Sequence, residues 1–256
     1  MRIARTRQEL DTLRAEHAGG TAFVPTMGAL HEGHLSLMQH AGQLQPNLIV
    51  SIFVNPTQFA PHEDFASYPR DEQSDMEKLK DIGVDILFLP TTKTLYPNGM
   101  ESKIKAGQAA NGLETDFRPH FFDGVVNVVA RLFEIIKPDT AIFGEKDFQQ
   151  LQVIKEMIDT HEMNVDVIGA PIIRDKDGLA LSSRNAYLSQ SELYIARQFN
   201  KILKSNLSTE DMAQELLKAG FDKIDYIEKR WERILGAAWL GKTRLIDNVK
   251  ARPSSS

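Results

Sequence analysis

The sequence predicts an α/β protein: a Rossmann-like, doubly wound, mostly parallel sheet with a smaller C-terminal α+β lid domain. Three observations carry that expectation. Short β-branched apolar runs alternate with helix-period segments up to about Ile173. The residues best suited to chemistry fall just after strand candidates, where parallel sheets bind ligands. Beyond Ile173 the alternation ends in a polar turn, Arg174-Asp-Lys-Asp-Gly178, which reads as a hinge between domains 1–173 and 174–256.

The strand candidates are Thr21–Val24, Leu48–Val54, Asp85–Leu89, Thr140–Phe143 and Val165–Ile168. Each is a short run rich in Val, Ile, Leu or Phe, as expected of strands buried on both faces. Between and after them, apolar residues at helical spacing predict helices over Gly33–Gln45, Glu72–Ile82, Gly124–Lys137 and Phe148–His161. In the C-terminal part the pattern predicts an amphipathic helix at Ser191–Leu203, a polar linker, a second helical stretch, and a strand pair near Ala237–Leu240 and Thr243–Ile246.

Composition narrows the function classes. The chain has 256 residues, 42% apolar and 25% charged, enough for a substantial core in a soluble protein. A net charge of −5 and the lack of a basic run argue against a nucleic-acid partner. Without cysteine there is no thiol catalysis, disulfide or Cys-based zinc site, a composition compatible with a reducing compartment. The N-terminal Met-Arg-Ile-Ala-Arg-Thr-Arg lacks the apolar core of a signal peptide, and no segment reaches membrane-spanning length. The expectation is a cytoplasmic protein with no membrane partner.

Four segments carry candidate chemistry. In Val24-Pro-Thr-Met-Gly-Ala-Leu-His31-Glu-Gly-His34 a strand breaks into a turn and delivers two histidines to the first turn of a helix. Unpaired N–H groups and the positive end of the helix dipole make that a phosphate site, and imidazoles add donors for charge developing on a leaving pyrophosphate. A bare His-x-x-His is more often surface decoration; the flanking strand and helix favour nucleotide binding. In Ser51-Ile-Phe-Val-Asn55-Pro-Thr-Gln58-Phe, the amides of Asn55 and Gln58 follow a buried strand and suit hydroxyl and carboxylate recognition, although Asn-Pro is also a common turn.

The third segment, Phe143-Gly144-Glu-Lys146-Asp147-Phe-Gln-Gln150, places a point charge for phosphate beside a carboxylate suited to ribose hydroxyls. Asp147 equally suits a helix N-cap, and Gln150 shares its face. The fourth, Gly178-Leu-Ala-Leu-Ser182-Ser183-Arg184-Asn185, pairs hydroxyls with an arginine, a combination that can clamp a triphosphate. On residues alone, a nucleotidyltransferase that leaves the nucleotide on its product and an inactive nucleotide-binding module stay open. The neutral pair Gln58 and Gln150 favours a small hydroxy acid over a phosphorylated acceptor.

Taken in order, these motifs closely resemble the pantothenate synthetase (pantoate–β-alanine ligase) family of the HxGH nucleotidyl-transferring Rossmann superfamily, from about Phe23 to Asn248. Tyr68-Pro-Arg, Tyr96-Pro-Asn-Gly and Ala237-Ala-Trp-Leu-Gly-Lys-Thr-Arg-Leu-Ile-Asp-Asn248 belong to the same pattern. The resemblance implies ligation with ATP and Mg2+: pantoate forms pantoyl adenylate and pyrophosphate, then β-alanine displaces AMP. It implies His34, His31, Lys146 and Arg184 as catalytic residues, with His34 the proton donor. Met27, Gly28, Ala29, Leu30, His31, Glu32, Gly33 and His34 would line the ATP site. Gly144, Glu145, Lys146, Asp147, Ile173 (through its backbone), Leu181, Ser182, Ser183 and Arg184 would complete it. Gln58, Gln150 and Asn55 would face the small substrates, and the enzyme would be a homodimer. One stretch departs from the family pattern Arg-Pro-Gly-His-Phe-x-Gly-Val: here it reads Arg118-Pro-His120-Phe-Phe-Asp-Gly124-Val, and His120 is left out of the site. The segment between Leu207 and Trp231 is also short for the family.

Overall fold

A computed structural model describes residues 1–59, 65, 68–101 and 104–252, and the chain divides into two compact units. The N-terminal unit comprises Met1–Glu145 with Gln149–Ala170; the C-terminal unit runs from Pro171 onward and also holds Lys146–Phe148. The division falls three residues before the expected boundary at 173/174, and it takes the Lys146 turn out of linear order. Among the described residues no helix is long and apolar enough to cross a membrane.

The N-terminal unit is built on six parallel strands in the order β1-β4-β3-β2-β5-β6. These are β1 Arg2–Ala4, β2 Thr21–Thr26, β3 Asn47–Ile52, β4 Ile86–Phe88, β5 Thr140–Gly144 and β6 Asp166–Ala170. From β2 the order runs outward through β3 and β4 to β1 at the edge, and on the other side from β5 to β6. The order therefore reverses between β2 and β5, where Ala22 pairs with Thr140 and Phe23 with Ala141. Doubly wound sheets open a crevice at the carboxyl ends of such a strand pair.

Helices α1 Arg7–Ala15, α2 Glu32–Leu44, α3 Glu72–Ile82, α4 Thr92–Leu95, α5 Glu114–Phe117, α6 Phe121–Ile136 and α7 Phe148–Thr160 follow. On one sheet face Leu37, Met38 and Ala41 of α2 and Leu79 of α3 pack against Ala22, Val24, Val50 and Leu87. On the other, Phe133 of α6 meets Phe23 and Phe143 edge to face, with ring centroids 6.3 and 6.5 Å apart. Helix α3 spans the residues expected of it. It stops at Gly83, whose φ of 84° is left-handed and whose successor Val84 donates back to the Leu79 carbonyl at 3.1 Å. The elements β1 and α1 were not expected. The first is three residues long, and the second has only Leu10 and Leu13 buried, a stripe too thin to stand out among charged neighbours.

In the C-terminal unit, helices α8 Gln190–Ala196, α9 Gln198–Leu203 and α10 Thr209–Ala219 precede an antiparallel sheet of β7 Lys223–Arg230, β8 Arg233–Leu240 and β9 Thr243–Lys250. Phe199, Leu203, Met212 and Leu216 bury against Ala238, Leu240 and Leu245. Two expectations are corrected. The single helix expected at Ser191–Leu203 breaks at Arg197, whose guanidinium meets Asp175 and Asp177 at 3.0 and 3.1 Å. The strand pair is a three-stranded meander, because the charged run Lys223–Arg230 pairs along β8 with an irregularity between Ile224 and Tyr226.

Candidate functional site

The chain leaves β2 through Met27, Gly28, Ala29 and Leu30 and enters α2 at His31, so the loop stands at the strand-order reversal. Gly28 has φ 82°, and a Cβ there would lie 3.0 Å from the Asp75 carboxylate and 3.1 Å from Ile52. Ala29 is also left-handed, at φ 51°. This strained turn is held from α3. The buried carboxylate of Asp75 accepts from the Ala29 and Leu30 N–H groups, at 2.8 Å each, and Lys78 Nζ donates to the Leu30 carbonyl at 2.8 Å.

The two histidines cap α2 reciprocally. His31 Nδ1 accepts from the Gly33 N–H at 3.1 Å, and His34 Nδ1 accepts from the His31 N–H at 3.4 Å. An Nδ1 that accepts places the proton of a neutral imidazole on Nε2, so both rings present Nε2–H donors. The ring centroids are 4.1 Å apart. Glu32 and Gly33 form the first turn of α2, and Gly144 ends β5 on the other side of the reversal.

Asn55 caps the 3-10 turn Pro56–Gln58 and is 1% exposed. Its Oδ1 accepts from Thr57 N and Oγ1 and from the Tyr96 hydroxyl, at 3.3, 3.0 and 2.9 Å. Its Nδ2 donates to the Gly124 carbonyl at 3.1 Å and to Gln58 Oε1 at 3.2 Å. Burial pushes the Tyr96 hydroxyl above its ordinary range, against the opposing pull of Thr57 and Arg131, so it stays a neutral donor. Gln58 in turn points Nε2 at Met27 Sδ, 3.0 Å away. Met27 of the nucleotide loop and the substrate candidates Gln58 and Asn55 are thus brought together.

Gly124 of α6 packs under the same turn: a Cβ there would lie 2.7 Å from the Thr57 carbonyl carbon and 2.9 Å from Gln58 Cα. The Arg118 guanidinium donates to the Gln58 carbonyl at 3.3 Å. His120, where the family pattern has glycine, sits at φ 73°, a left-handed conformation in which histidine is over-represented among non-glycine residues. On α7, Gln149 is buried and bonded to backbone of Ala109, Gly112 and Glu114. Gln150 is half-buried, and its side chain has no hydrogen bond among the described residues.

The remaining candidates lie in the C-terminal unit. Lys146 and Asp147 share a 3-10 turn with Glu145, with Lys146 Nζ 3.9 Å from Asp147 Oδ2. The Ile173 carbonyl accepts from Leu181 N at 2.9 Å, closing the loop around Gly178, whose φ is 98°. Ser182 caps the 3-10 turn Ser183–Tyr187, its Oγ accepting from the Arg184 N–H at 3.3 Å. Two residues beyond the expected site connect these pieces. Asp247 holds Arg174 through two contacts of 2.7 and 2.8 Å, and Asn248 Nδ2 donates to the Lys146 carbonyl at 3.0 Å. Their signal in the sequence is two adjacent polar residues set between the apolar Leu245-Ile246 and Val249 of β9. Asp75 gives a weaker signal, one carboxylate among several on a charged helix.

A parallel sheet that reverses between β2 and β5, with a histidine pair capping a helix at that reversal, defines a doubly wound α/β enzyme. The family model for pantoate-beta-alanine ligase matches residues 1–250. The chain is 49% identical over 251 residues to the pantothenate synthetase of Mesorhizobium japonicum, covering 89% of each. It is 47% identical over 277 residues to that of Rhodopseudomonas palustris strain HaA2, covering 96% of this chain and 97% of the relative. The crystal structure of pantoate-beta-alanine ligase from Francisella tularensis, complexed with beta-gamma ATP and beta-alanine, superposes with a TM-score of 0.91 at 39% identity, covering 98% and 97% of the two chains. A pantothenate synthetase structure from Thermus thermophilus gives 0.88 at 37%, covering 99% and 100%. The chain belongs to the pantoate–beta-alanine ligase family, and it joins pantoate to β-alanine.

Proposed function

We propose that this ligation uses ATP and proceeds through pantoyl adenylate. A pantoate carboxylate oxygen attacks the α-phosphorus, and the bond to the bridging oxygen breaks as pyrophosphate leaves. The β-alanine amine then attacks the acyl carbon, loses a proton to solvent, and the acyl–oxygen bond breaks to expel AMP. The observation that carries this reading is the histidine pair at the strand-order reversal, with its two Nδ1 atoms occupied by backbone N–H groups. Their Nε2–H groups, His34's included, donate hydrogen bonds to phosphate oxygens on which charge builds as pyrophosphate departs. The beta-gamma ATP and beta-alanine of the Francisella structure support the same substrates here.

Met27 to His34 and Gly144 to Asp147 contact ATP in this scheme, as do Ile173 and Leu181 to Arg184. Lys146 is a point charge for phosphate, and the Arg184 fork neutralises the leaving group. Gln58 and Gln150 hold pantoate by neutral amides, and Asn55 contributes by fixing Gln58. Mg2+ enters with the triphosphate as part of the substrate. A cytoplasmic homodimer is in keeping with the family resemblance, and sedimentation equilibrium measures the oligomeric state directly.

The deciding test is exchange of labelled pyrophosphate into ATP. Adenylation precedes amine attack, so exchange is expected with pantoate present and β-alanine absent. Exchange that requires β-alanine would exclude a separate adenylate step.

A further inference from the structure

Polar side chains of the C-terminal unit form one largely buried network centred on β9. Asp247 and Asn248 are 4% and 2% exposed, Asn200 and Arg233 3% and 7%. Arg174 grips the Asp247 carboxylate with both terminal nitrogens, and one of them also reaches the Asn248 carbonyl at 3.2 Å. The other donates to the Gly178 carbonyl at 3.1 Å, so the arginine that binds β9 also closes the loop that leads to Ser182–Arg184. Asn200 Nδ2 adds a donor to Asp247 at 3.3 Å. The Arg233 guanidinium donates to Asn248 Oδ1 at 2.7 Å. An arginine has no acceptor, so this contact fixes which way the amide faces and aims Nδ2 at the Lys146 carbonyl.

Two segments far apart in the chain, the Lys146 turn and the Arg174–Arg184 segment, therefore share an anchor of two adjacent residues. We propose that Asp247 and Asn248 are positioning residues for the ligation: they set the backbone of Lys146 and of the Ser182–Arg184 segment in register with each other. The proposal rests on the roles given above to Lys146 and Arg184.

Asn248→Asp tests it with little change of shape. The retained oxygen still accepts from Arg233, but the donor to the Lys146 carbonyl becomes an acceptor facing an acceptor. Adenylation kcat should fall roughly tenfold or more, with KM for pantoate unchanged. In a Lys146→Ala background the same substitution should have almost no further effect, because a residue acting through Lys146 is silent once that side chain is gone. Multiplying losses in the double variant would overturn the proposal. If Lys146→Ala alone leaves adenylation intact, the reading of Lys146 as catalytic fails, and the anchor is judged by amide hydrogen exchange. Exchange should accelerate together in peptides covering residues 146–148 and 173–184, with α10 unchanged. Acceleration confined to β9, or spread over the whole unit, would overturn it. Asn248→Ser, which shortens the donor without adding charge, supplies the same measurements should the aspartate variant fold poorly.

Discussion

Gln149 and Gln150 are identical neighbours with opposite environments. The first carries a structural load: its amide bonds three backbone groups of the 109–114 segment. The second has no such partner among the described residues, which suits an amide kept for a ligand. Gln150→Ala is expected to lower pantoate-dependent adenylation by roughly a few kcal/mol of transition-state stabilisation, because groups it would meet in a closed site stay unpaired. Calorimetric ATP affinity should remain near that of the parent enzyme. Collapse of ATP binding would move Gln150 into the nucleotide site. At this scale the sequence was readable where chemistry is local. The spacing of His31 and His34 shows a helix cap, because cap and helix are contiguous. The contacts that absorb Asn55 come from Tyr96 and Gly124, 41 and 69 residues away, and no local pattern announces them.

Among the elements, the contact of α6 with the Pro56–Gln58 turn is the closest approach that bears on the site. Gly124→Ala puts a methyl group into the Thr57 carbonyl and the Gln58 backbone, and neither can yield as a side-chain tip would. Overpacking of this kind costs about 1–3 kcal/mol. The cost should appear as a lower thermal midpoint together with a raised KM for pantoate, while ATP affinity is kept. An unchanged KM would separate the turn from substrate binding. Elements long enough to bury an apolar stripe, such as α6 and α7, were legible from periodicity. The strand β7 was not, since Lys223, Asp225, Glu228, Lys229 and Arg230 mask its few apolar positions, and tertiary pairing with β8 decides its state.

At the scale of the molecule, acid sensitivity should concentrate in the C-terminal unit. Burial raises the Asp225 carboxyl, but Lys223, then Arg244 and the Trp239 indole N–H, outweigh it and hold the group below the usual carboxylate range. Asp175 is shifted the same way: burial raises it, and the Leu179 N–H and Arg197 prevail. A folded-state value below the unfolded one of about 3.9 gives stability that is complete above that pH and is lost as pH falls through the folded value. Both tryptophans, Trp231 and Trp239, lie in this unit, so their fluorescence in urea titrations reports on it. The urea midpoint should be flat with respect to these groups from about pH 5 to 7 and drop below about pH 4. Asp225→Asn should be less stable at neutral pH and show a shallower acid slope; a parallel curve would remove Asp225 as a source of the acid effect.

The reversal of strand order also has a consequence for synthesis on the ribosome. β2 finds one neighbour, β3, within a few dozen residues, but its other neighbour is β5, and Thr21 bonds Asp139 across 118 positions of chain. Loop closure over that span comes late, because the chain must first emerge and then surrender the entropy of a long loop. The half-sheet of β1 to β4 can assemble earlier, with one flank of β2 bare and its backbone groups unpaired. During that interval the histidine loop exists without its crevice, and the nascent chain is at its most adhesive.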